Sequence, residues 1–308
     1  MARWRESASD ARRSAVRETE FAELLDQVRG IRWPARTAVR SGIPGAHSSR
    51  MRGISAEFTE YRPYHQGDDL RRIDWKLFGR TDRAYIRLSN ERAILPTTIV
   101  LDASASMAFP VDTMGKWNLA ALLGVGLAAV GRNGADPVGL MISDAESPVH
   151  LPPRTRQGVI QEIIRAVSSV SPRGSAPLAP IVSLAGQSSG RVVIVTDLLG
   201  DAQDLLAVAS HWVVAGREMH LVHVIAHEEL DPPRHDTLVA DPENPEYKRP
   251  MIRDARDAYI DAFAQWRDEV GHEWSDSGIN YTTAVTGEES VDHIIRRVTA
   301  VRGAAVPG

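Results

Sequence analysis

Short apolar runs alternate with longer segments of helical spacing through most of this 308-residue sequence, and this alternation constrains its fold more than any other feature. Runs typical of buried strands lie at 97–102, 137–143, 191–197, 219–226 and 281–285. Segments that favour helices lie at 114–131, 154–169, 177–187, 201–215, 252–272 and 289–301. Strands that alternate with helices of about ten residues or more form parallel sheets covered on both faces. The sequence therefore predicts an α/β fold with a mostly parallel sheet.

The first 95 residues have a different pattern. Residues 14–30 have helical spacing and end in glycine, which predicts a helix. Glycine and proline then break residues 31–95 into short pieces, and A-Y-I-R-L at 84–88 alternates like a strand. We therefore expect two regions. Residues 1–95 form a helix with a small, arginine-rich, partly β module, and residues 96–308 form the α/β domain.

Composition and charge exclude several classes of function. The chain has no cysteine, which excludes disulfides, thiolate catalysis and cysteine-bound zinc. Residues 1–92 carry 19 basic against 13 acidic residues, a modest excess typical of a solvated surface, so nucleic acid is not the expected partner. The longest apolar run, 119–130, is shorter than the roughly 20 residues of a membrane span. With no secretory signal in the sequence, we expect a cytoplasmic protein.

Carboxylate and hydroxyl side chains lie at the ends of two predicted strands and in one loop between these strands. Asp102, Ser104 and Ser106 come at the end of the first buried strand, and Asp197 ends the third. Ser175 lies in the intervening loop S-P-R-G-S. In an open α/β sheet these positions face one edge, where ligands bind. Such hard oxygen ligands suit Mg²⁺ or Mn²⁺. The alternative is that the serines cap or turn the chain and the aspartates are ordinary strand-end carboxylates.

The D-A-S-A-S stretch resembles the first motif of the metal-ion-dependent adhesion site in von Willebrand factor A domains. The resemblance implies a von Willebrand A-like, Rossmann-like sheet and assigns Asp102, Ser104 and Ser106 to that first motif. It assigns Asp197 to the third motif, and Ser175 to a position where the family usually has threonine. In those domains the ion receives an acidic residue of a partner protein as its last ligand, and no reaction follows.

A second, narrower resemblance covers the segment before this domain. The stretches at 45–53, 57–76 and 79–87 are similar to the signature of bacterial "domain of unknown function 58" proteins, as are K-W-N-L-A at 116–120 and D-P-V-G-L at 136–140. Members of that family commonly accompany MoxR-type AAA+ ATPases. The resemblance implies a non-enzymatic, metal-dependent adaptor that binds such an ATPase and an acidic client protein.

Other functions remain open at this stage. The block G-D-D-L-R-R-I-D-W at 67–75 is either a structural clasp that buries Ile73 and Trp75 or a docking surface for the ATPase. A Mg²⁺-dependent phosphoester hydrolase is an alternative to the adaptor. The sequence offers it no second carboxylate cluster and no lysine or arginine clamp beside D-A-S-A-S. A scaffold with a vestigial metal site is the third possibility. Walker A and H-E-x-x-H motifs are absent from the sequence.

Overall fold

The computed structural model describes residues 16–35, 56–66, 68, 70, 73–91, 94–232, 237–240, 248–251 and 253–300. The chain divides into two compact units, one formed by residues 1–36 and 95–308 and the other by residues 37–94. The strands of the described residues are β1 (Ala56–Pro63), β2 (Tyr85–Glu91), β3 (Thr97–Asp102), β4 (Val138–Ser143), β5 (Val149–Arg154), β6 (Arg191–Thr196), β7 (Glu218–Ile225), β8 (Thr237–Ala240), β9 (Lys248–Met251) and β10 (Asn280–Val285). The helices are α1 (Glu18–Gln27), α2 (Trp75–Thr81), α3 (Gly115–Asn133), α4 (Val159–Ser169), α5 (Leu178–Ser188), α6 (Ala202–Val214), α7 (His227–Leu230), α8 (Arg253–Asp276) and α9 (Val291–Thr299).

A six-stranded sheet organises the larger unit. Its strand order is β10-β7-β6-β3-β4-β5, and every pairing is parallel except that of β5, which runs antiparallel to β4 at the edge. The predicted fold class, a mostly parallel α/β sheet, is confirmed. The chain moves from β3 outward to β4 and then returns to β6, on the other side of β3. This reversal opens a crevice at the carboxyl ends of β3 and β6, where ligands bind in such sheets.

Helices cover both faces of the sheet. Residues of α1, α3, α4 and α9 form one apolar core, and residues of α5, α6 and α8 form the other. The apolar segment predicted at 114–131 is α3, which is buried because it lies between the sheet and both α1 and α9. A Cβ on Gly126 would stand 2.3 Å from Ile295 Cδ1. Glycine at this position thus lets α9 approach α3 closely.

Strand β5 is the main element that the sequence did not predict. The helix predicted at 154–169 begins only at Val159, after Gly158 in the left-handed region at φ +83°. The residues before it form the antiparallel edge strand, in which half-buried and exposed positions alternate. Pro152 and Pro153 make this strand difficult to predict from the sequence, because proline is uncommon within strands. An edge strand tolerates proline because one side of it needs no ladder hydrogen bonds.

Helix α1 lies with the α/β unit, whereas the predicted division at residue 95 assigns it to the small module. Phe21 and Leu24 of α1 are buried in the core that contains α3. The polypeptide after α1 is also attached to this unit, since the guanidinium of Arg191 lies 4.2 Å from the ring centroid of Trp33. Burial of one apolar face of α1 and this cation–π contact explain why the compact small unit begins only at residue 37.

In the small unit, β1 and β2 pair antiparallel and α2 lies between them in sequence. Asp74 caps α2 by accepting hydrogen bonds from the backbone N–H groups of Lys76 and Leu77, both at 3.0 Å. Ile73 is buried, but Trp75 is 63% exposed. Trp75, the first residue of the capped helix, is thus not buried with Ile73 inside this unit. The stretch 45–53 and residues Gly67, Asp69, Arg71 and Arg72 lie outside the described residues.

Arg191 forms a buried ionic cluster at the amino-terminal edge of the sheet. Its side chain is fully buried, with Nε 3.0 Å from Glu218 Oε2 and Nη1 3.3 Å from Asp136 Oδ2. One more nitrogen donates to the carbonyl of Pro34. Removing one partner of a buried ion pair leaves the other charge uncompensated, which is far more costly than losing an exposed pair.

We expect Arg191→Met to lower the free energy of unfolding by about 3–5 kcal/mol. The matched control is Arg156→Met, which removes an exposed pair with Glu162 and costs less than about 1 kcal/mol. Urea denaturation followed by circular dichroism measures both. Equal losses in the two variants would contradict the structural role assigned to Arg191.

Candidate metal centre

Asp102 ends β3 and is buried at the carboxyl edge of the sheet. Its Oδ1 accepts a hydrogen bond from the backbone N–H of Ser104 at 2.8 Å. Its Oδ2 accepts one from the hydroxyl of Thr196 at 2.6 Å. Thr196 ends the neighbouring strand β6, so this side-chain bond joins the two strands across the crevice. The carboxylate of Asp102 is thereby fixed in one orientation.

The two serines of the D-A-S-A-S turn present their hydroxyls together. Residues Ala105–Ala108 form a short 3-10 helix after β3, with Ser104 at its amino end. Ser104 Oγ lies 3.0 Å from Ser106 Oγ, and both side chains are buried. The turn after β3 thus brings the hydroxyls of Ser104 and Ser106 within hydrogen-bond distance of each other.

The loop that carries Ser175 is attached to this turn by backbone hydrogen bonds. The N–H of Ala105 donates to the carbonyl of Gly174 at 2.8 Å, and the N–H of Arg173 donates to the carbonyl of Ala103 at 3.0 Å. Gly174 has φ +61°, a conformation that glycine adopts without strain. Ser175 is exposed and, with Asp102, Ser104 and Thr196, lines a cavity of about 250 Å³.

Asp197 follows Thr196 at the same edge of the sheet. Its Oδ1 accepts a hydrogen bond from the backbone N–H of Leu199 at 3.2 Å, and its Oδ2 lies 2.7 Å from Lys116 Nζ. Asp102, Ser104 and Ser175 line the cavity, Ser106 lies behind Ser104, and Asp197 is the residue next to the cavity-lining Thr196. All five predicted ligands therefore lie at one edge of the sheet.

Lys116 is a residue of this site that sequence reasoning did not identify. It lies in the first turn of α3, is fully buried, and donates to both Asp197 Oδ2 at 2.7 Å and Glu229 Oε1 at 2.8 Å. Glu229 in turn accepts a hydrogen bond from the backbone N–H of Ala226 at 2.7 Å. The one signal in the sequence was a lysine at the start of an otherwise apolar helix. Its partners, 81 and 113 residues away, are found only in the fold.

Burial and neighbouring charges shift the pKa of two groups here. Burial, together with the charge of Asp197, raises the pKa of Asp102. Burial acts to lower the pKa of Lys116, but Asp197 and Glu229 outweigh it and the pKa is raised overall. Lys116 is therefore an ammonium group. The cluster holds three carboxylates against one ammonium, an excess of two negative charges when all are ionised.

The donor set fits Mg²⁺ or Mn²⁺. Among the described residues no group of three or more His, Cys, Asp or Glu side chains is placed to hold a metal ion. A metal here would therefore need hydroxyl ligands, and Ser104, Ser106 and Ser175 would supply them beside the carboxylates of Asp102 and Asp197. Hydroxyl and carboxylate oxygens suit hard divalent cations, and the excess of two negative charges matches the charge of one such ion.

The family model described as "Protein of unknown function DUF58" matches residues 60–269 of this chain. The chain belongs to the DUF58 family. The uncharacterized protein Rv1480 of Mycobacterium tuberculosis and the uncharacterized protein Mb1516 of Mycobacterium bovis are each 24% identical to it over 295 residues, which cover 93% of this chain and 92% of theirs. The resemblance seen in the sequence to DUF58 proteins is confirmed.

Solved structures similar to this DUF58 chain include a conserved hypothetical protein and a VWA domain. The conserved hypothetical protein BatB from Bacteroides thetaiotaomicron is 16% identical, with a TM-score of 0.43 over 66% of this chain and 96% of that one. The SpRpn10 VWA domain is 13% identical, with a TM-score of 0.40 over 66% of this chain and 94% of that one.

In the part of this chain that the structure describes, no helix combines the length and apolar character of a membrane span.

His223 lies on β7, the strand next to β6, and is buried. Its Nδ1 is 2.6 Å from the hydroxyl of Tyr281, and its ring meets that of Trp266 edge-on. Burial lowers the pKa of His223 to about 4 from its ordinary 6.5, although Asp197 acts to raise it. Between these two pH values the unfolded chain binds a proton that the folded chain does not.

We therefore expect metal-free protein to lose up to about 3 kcal/mol of stability through His223 as the pH falls from 6.5 to about 4. His223→Gln flattens the pH dependence of the free energy of unfolding in this interval, and His150→Gln, at an exposed position of β5, leaves it unchanged. Urea denaturation at several pH values in EDTA measures the slopes. A His223→Gln slope equal to that of the parent protein would contradict this origin.

Proposed function

We propose that this chain is a non-enzymatic, metal-dependent adaptor that binds an acidic side chain of another protein. The observation that carries the proposal is the convergence of Asp102, Ser104 and Ser175 on one cavity at the switch in strand order. Asp102, Ser104, Ser106, Ser175 and Asp197 would hold Mg²⁺ or Mn²⁺. The bound ion would supply an electrophilic position that a carboxylate of the partner fills.

The protein's own residues have three tasks in this proposal. The hydrogen bonds from Ser104 N–H and Thr196 hold the carboxylate of Asp102 in one orientation. The backbone bonds between the 173–174 and 103–105 segments keep the hydroxyl of Ser175 on the cavity. Serine hydroxyls add ligands without adding charge. A loaded site is then not strongly negative, which leaves it attractive to an incoming carboxylate.

The proposed partners are a MoxR-type AAA+ ATPase and a client protein that carries the acidic residue. This part of the proposal rests on the resemblance to DUF58 proteins. The expected cytoplasmic location is part of the same proposal. A DUF58 chain of this kind would assist the maturation or assembly of its client.

The hydrolase alternative gains little from the fold. It requires a cation that is available to a phosphoryl group, and the fold does bring Lys116 to the site. However, the ammonium of Lys116 already donates to the carboxylates of Asp197 and Glu229. The vestigial-site alternative differs from the adaptor in its metal affinity, which the next measurement determines.

Asp102→Asn is expected to abolish Mg²⁺ binding, because it removes the negative charge and one oxygen of a carboxylate ligand. Ser106→Ala is expected to weaken binding by at least about tenfold, or about 1.4 kcal/mol, because it removes a hydroxyl ligand. The matched control is Asp144→Asn. Asp144 directly follows the last residue of β4, is 5% exposed like Asp102, and also accepts a hydrogen bond from the backbone N–H two residues on, at 3.0 Å. Isothermal titration calorimetry of the four proteins measures the affinities. No binding by the parent protein would favour the vestigial site.

The adaptor itself is tested with the purified MoxR-type ATPase of the same organism, in the absence of nucleotide so that Mg²⁺ acts on the adaptor alone. We expect biolayer interferometry to detect binding in Mg²⁺ that is lost in EDTA and in Ser106→Ala, but retained in Asp144→Asn. Equal affinity in Mg²⁺ and in EDTA for both the parent protein and Ser106→Ala would contradict metal-dependent capture.

A further inference from the structure

Lys116 is an unusual residue to find at the start of α3. The amino end of a helix is partly positive, so a lysine there is disfavoured, and its burial adds a desolvation cost. The structure compensates it with two carboxylates, at 2.7 Å and 2.8 Å from Nζ. The ring of Phe109 lies 5.8 Å from the same nitrogen. These contacts hold the buried ammonium in one position, next to the carboxylate of Asp197.

Lys116 joins three segments of the site. It comes from α3, which follows the D-A-S-A-S turn, and it binds Asp197 after β6. Its second partner, Glu229, belongs to α7 after β7 and is itself fixed by the backbone N–H of Ala226. The ammonium therefore occupies a fixed position beside one predicted metal ligand. In the metal-free protein it compensates part of the negative charge that a metal ion would otherwise balance.

We propose that Lys116 and Glu229 act as a pair that sets the charge of the metal site and hence its affinity for divalent cations. The proposal rests on the metal-dependent adaptor function and adds two residues to it. Asp102, Asp197 and Glu229 together with Lys116 carry two excess negative charges, which one Mg²⁺ neutralises. Without Lys116 the excess is three, and without the charge of Glu229 it is one. The other carboxylate on the cavity, Asp201, is exposed to solvent and is screened.

Opposite effects on Mg²⁺ affinity are the result that distinguishes charge setting from a structural role. Lys116→Met raises the Mg²⁺ affinity and Glu229→Gln lowers it, each by about tenfold for one charge near the ion. The double variant Lys116→Met with Glu229→Gln returns the affinity close to that of the parent protein. A merely structural role for Lys116 predicts instead that the first and third variants both bind Mg²⁺ more weakly.

Metal-free stability gives a second readout. In EDTA, Lys116→Met has a lower melting temperature than the parent protein, because Asp197 and Glu229 lose their shared cation. Mg²⁺ at one high concentration then raises its melting temperature by more than it raises that of the parent protein, since stabilisation by a ligand grows with the logarithm of the affinity. The matched control is Lys76→Met, which changes an exposed lysine, also in the first turn of its helix, α2.

The experiment is calorimetric titration of Mg²⁺ into these variants, with melting curves in EDTA and in Mg²⁺. Lys116→Met and Glu229→Gln affinities that shift in the same direction, or stay within twofold of the parent protein, overturn the charge-setting pair while the metal site stands. If Lys116→Met does not fold, Glu229→Gln decides alone: unchanged or tighter Mg²⁺ binding overturns the proposal. No Mg²⁺ binding by the parent protein removes the adaptor function as well.

Discussion

Two carboxylates, Asp102 and Asp197, are buried on neighbouring strands at one edge of a parallel sheet, and compensation of their charge is the constraint that shapes this site. Burial of an unpaired carboxylate is costly, so each must have partners. Asp102 accepts hydrogen bonds from a hydroxyl and a backbone N–H. Asp197 accepts one from the ammonium of Lys116. The remaining negative charge of the site is what a divalent cation would balance.

Buried charges are compensated differently at the amino-terminal edge and at the carboxyl edge of the sheet. At the amino-terminal edge, Arg191 lies between Asp136 and Glu218, and Trp33 covers its guanidinium. That cluster is closed by the chain itself and explains why the segment after α1 belongs to the α/β unit. At the carboxyl edge, one cation again serves two carboxylates, but a third carboxylate, Asp102, lines a cavity. The first cluster stabilises the fold, whereas the second carries an excess of negative charge beside a cavity.

Most of the fold could be predicted from the sequence, since buried strands and helices differ in length and period. Residues 97–102 and 191–197 read clearly as strands because their apolar runs are uninterrupted. Strand β5 was not predicted because Pro152 and Pro153 are unusual in a strand. They are tolerated at the edge of the sheet, and the sequence does not show that this segment pairs with β4. The exposure of Trp75 could not be predicted from the sequence, because the face of α2 that is buried depends on tertiary packing.

The candidate site was predictable to the extent that its residues follow strand ends. Asp102, Ser104 and Ser106 are adjacent in sequence, and parallel pairing of β3 with β6 brings Asp197 to the same edge. Lys116 and Glu229 were not predictable from spacing, because an ion pair between residues 113 positions apart is determined by tertiary packing alone. Lys116 and Glu229, the pair proposed to set the charge of the site, thus could not be identified from the sequence alone.

The most direct measurement of the central claim is anomalous diffraction from crystals of this protein soaked in Mn²⁺. The account predicts one strong anomalous peak in the crevice between β3 and β6, where the hydroxyl oxygens of Ser104 and Ser106 would be direct ligands of the ion. A fully soaked crystal with no peak there, or with its peak at another group of carboxylates, would contradict it.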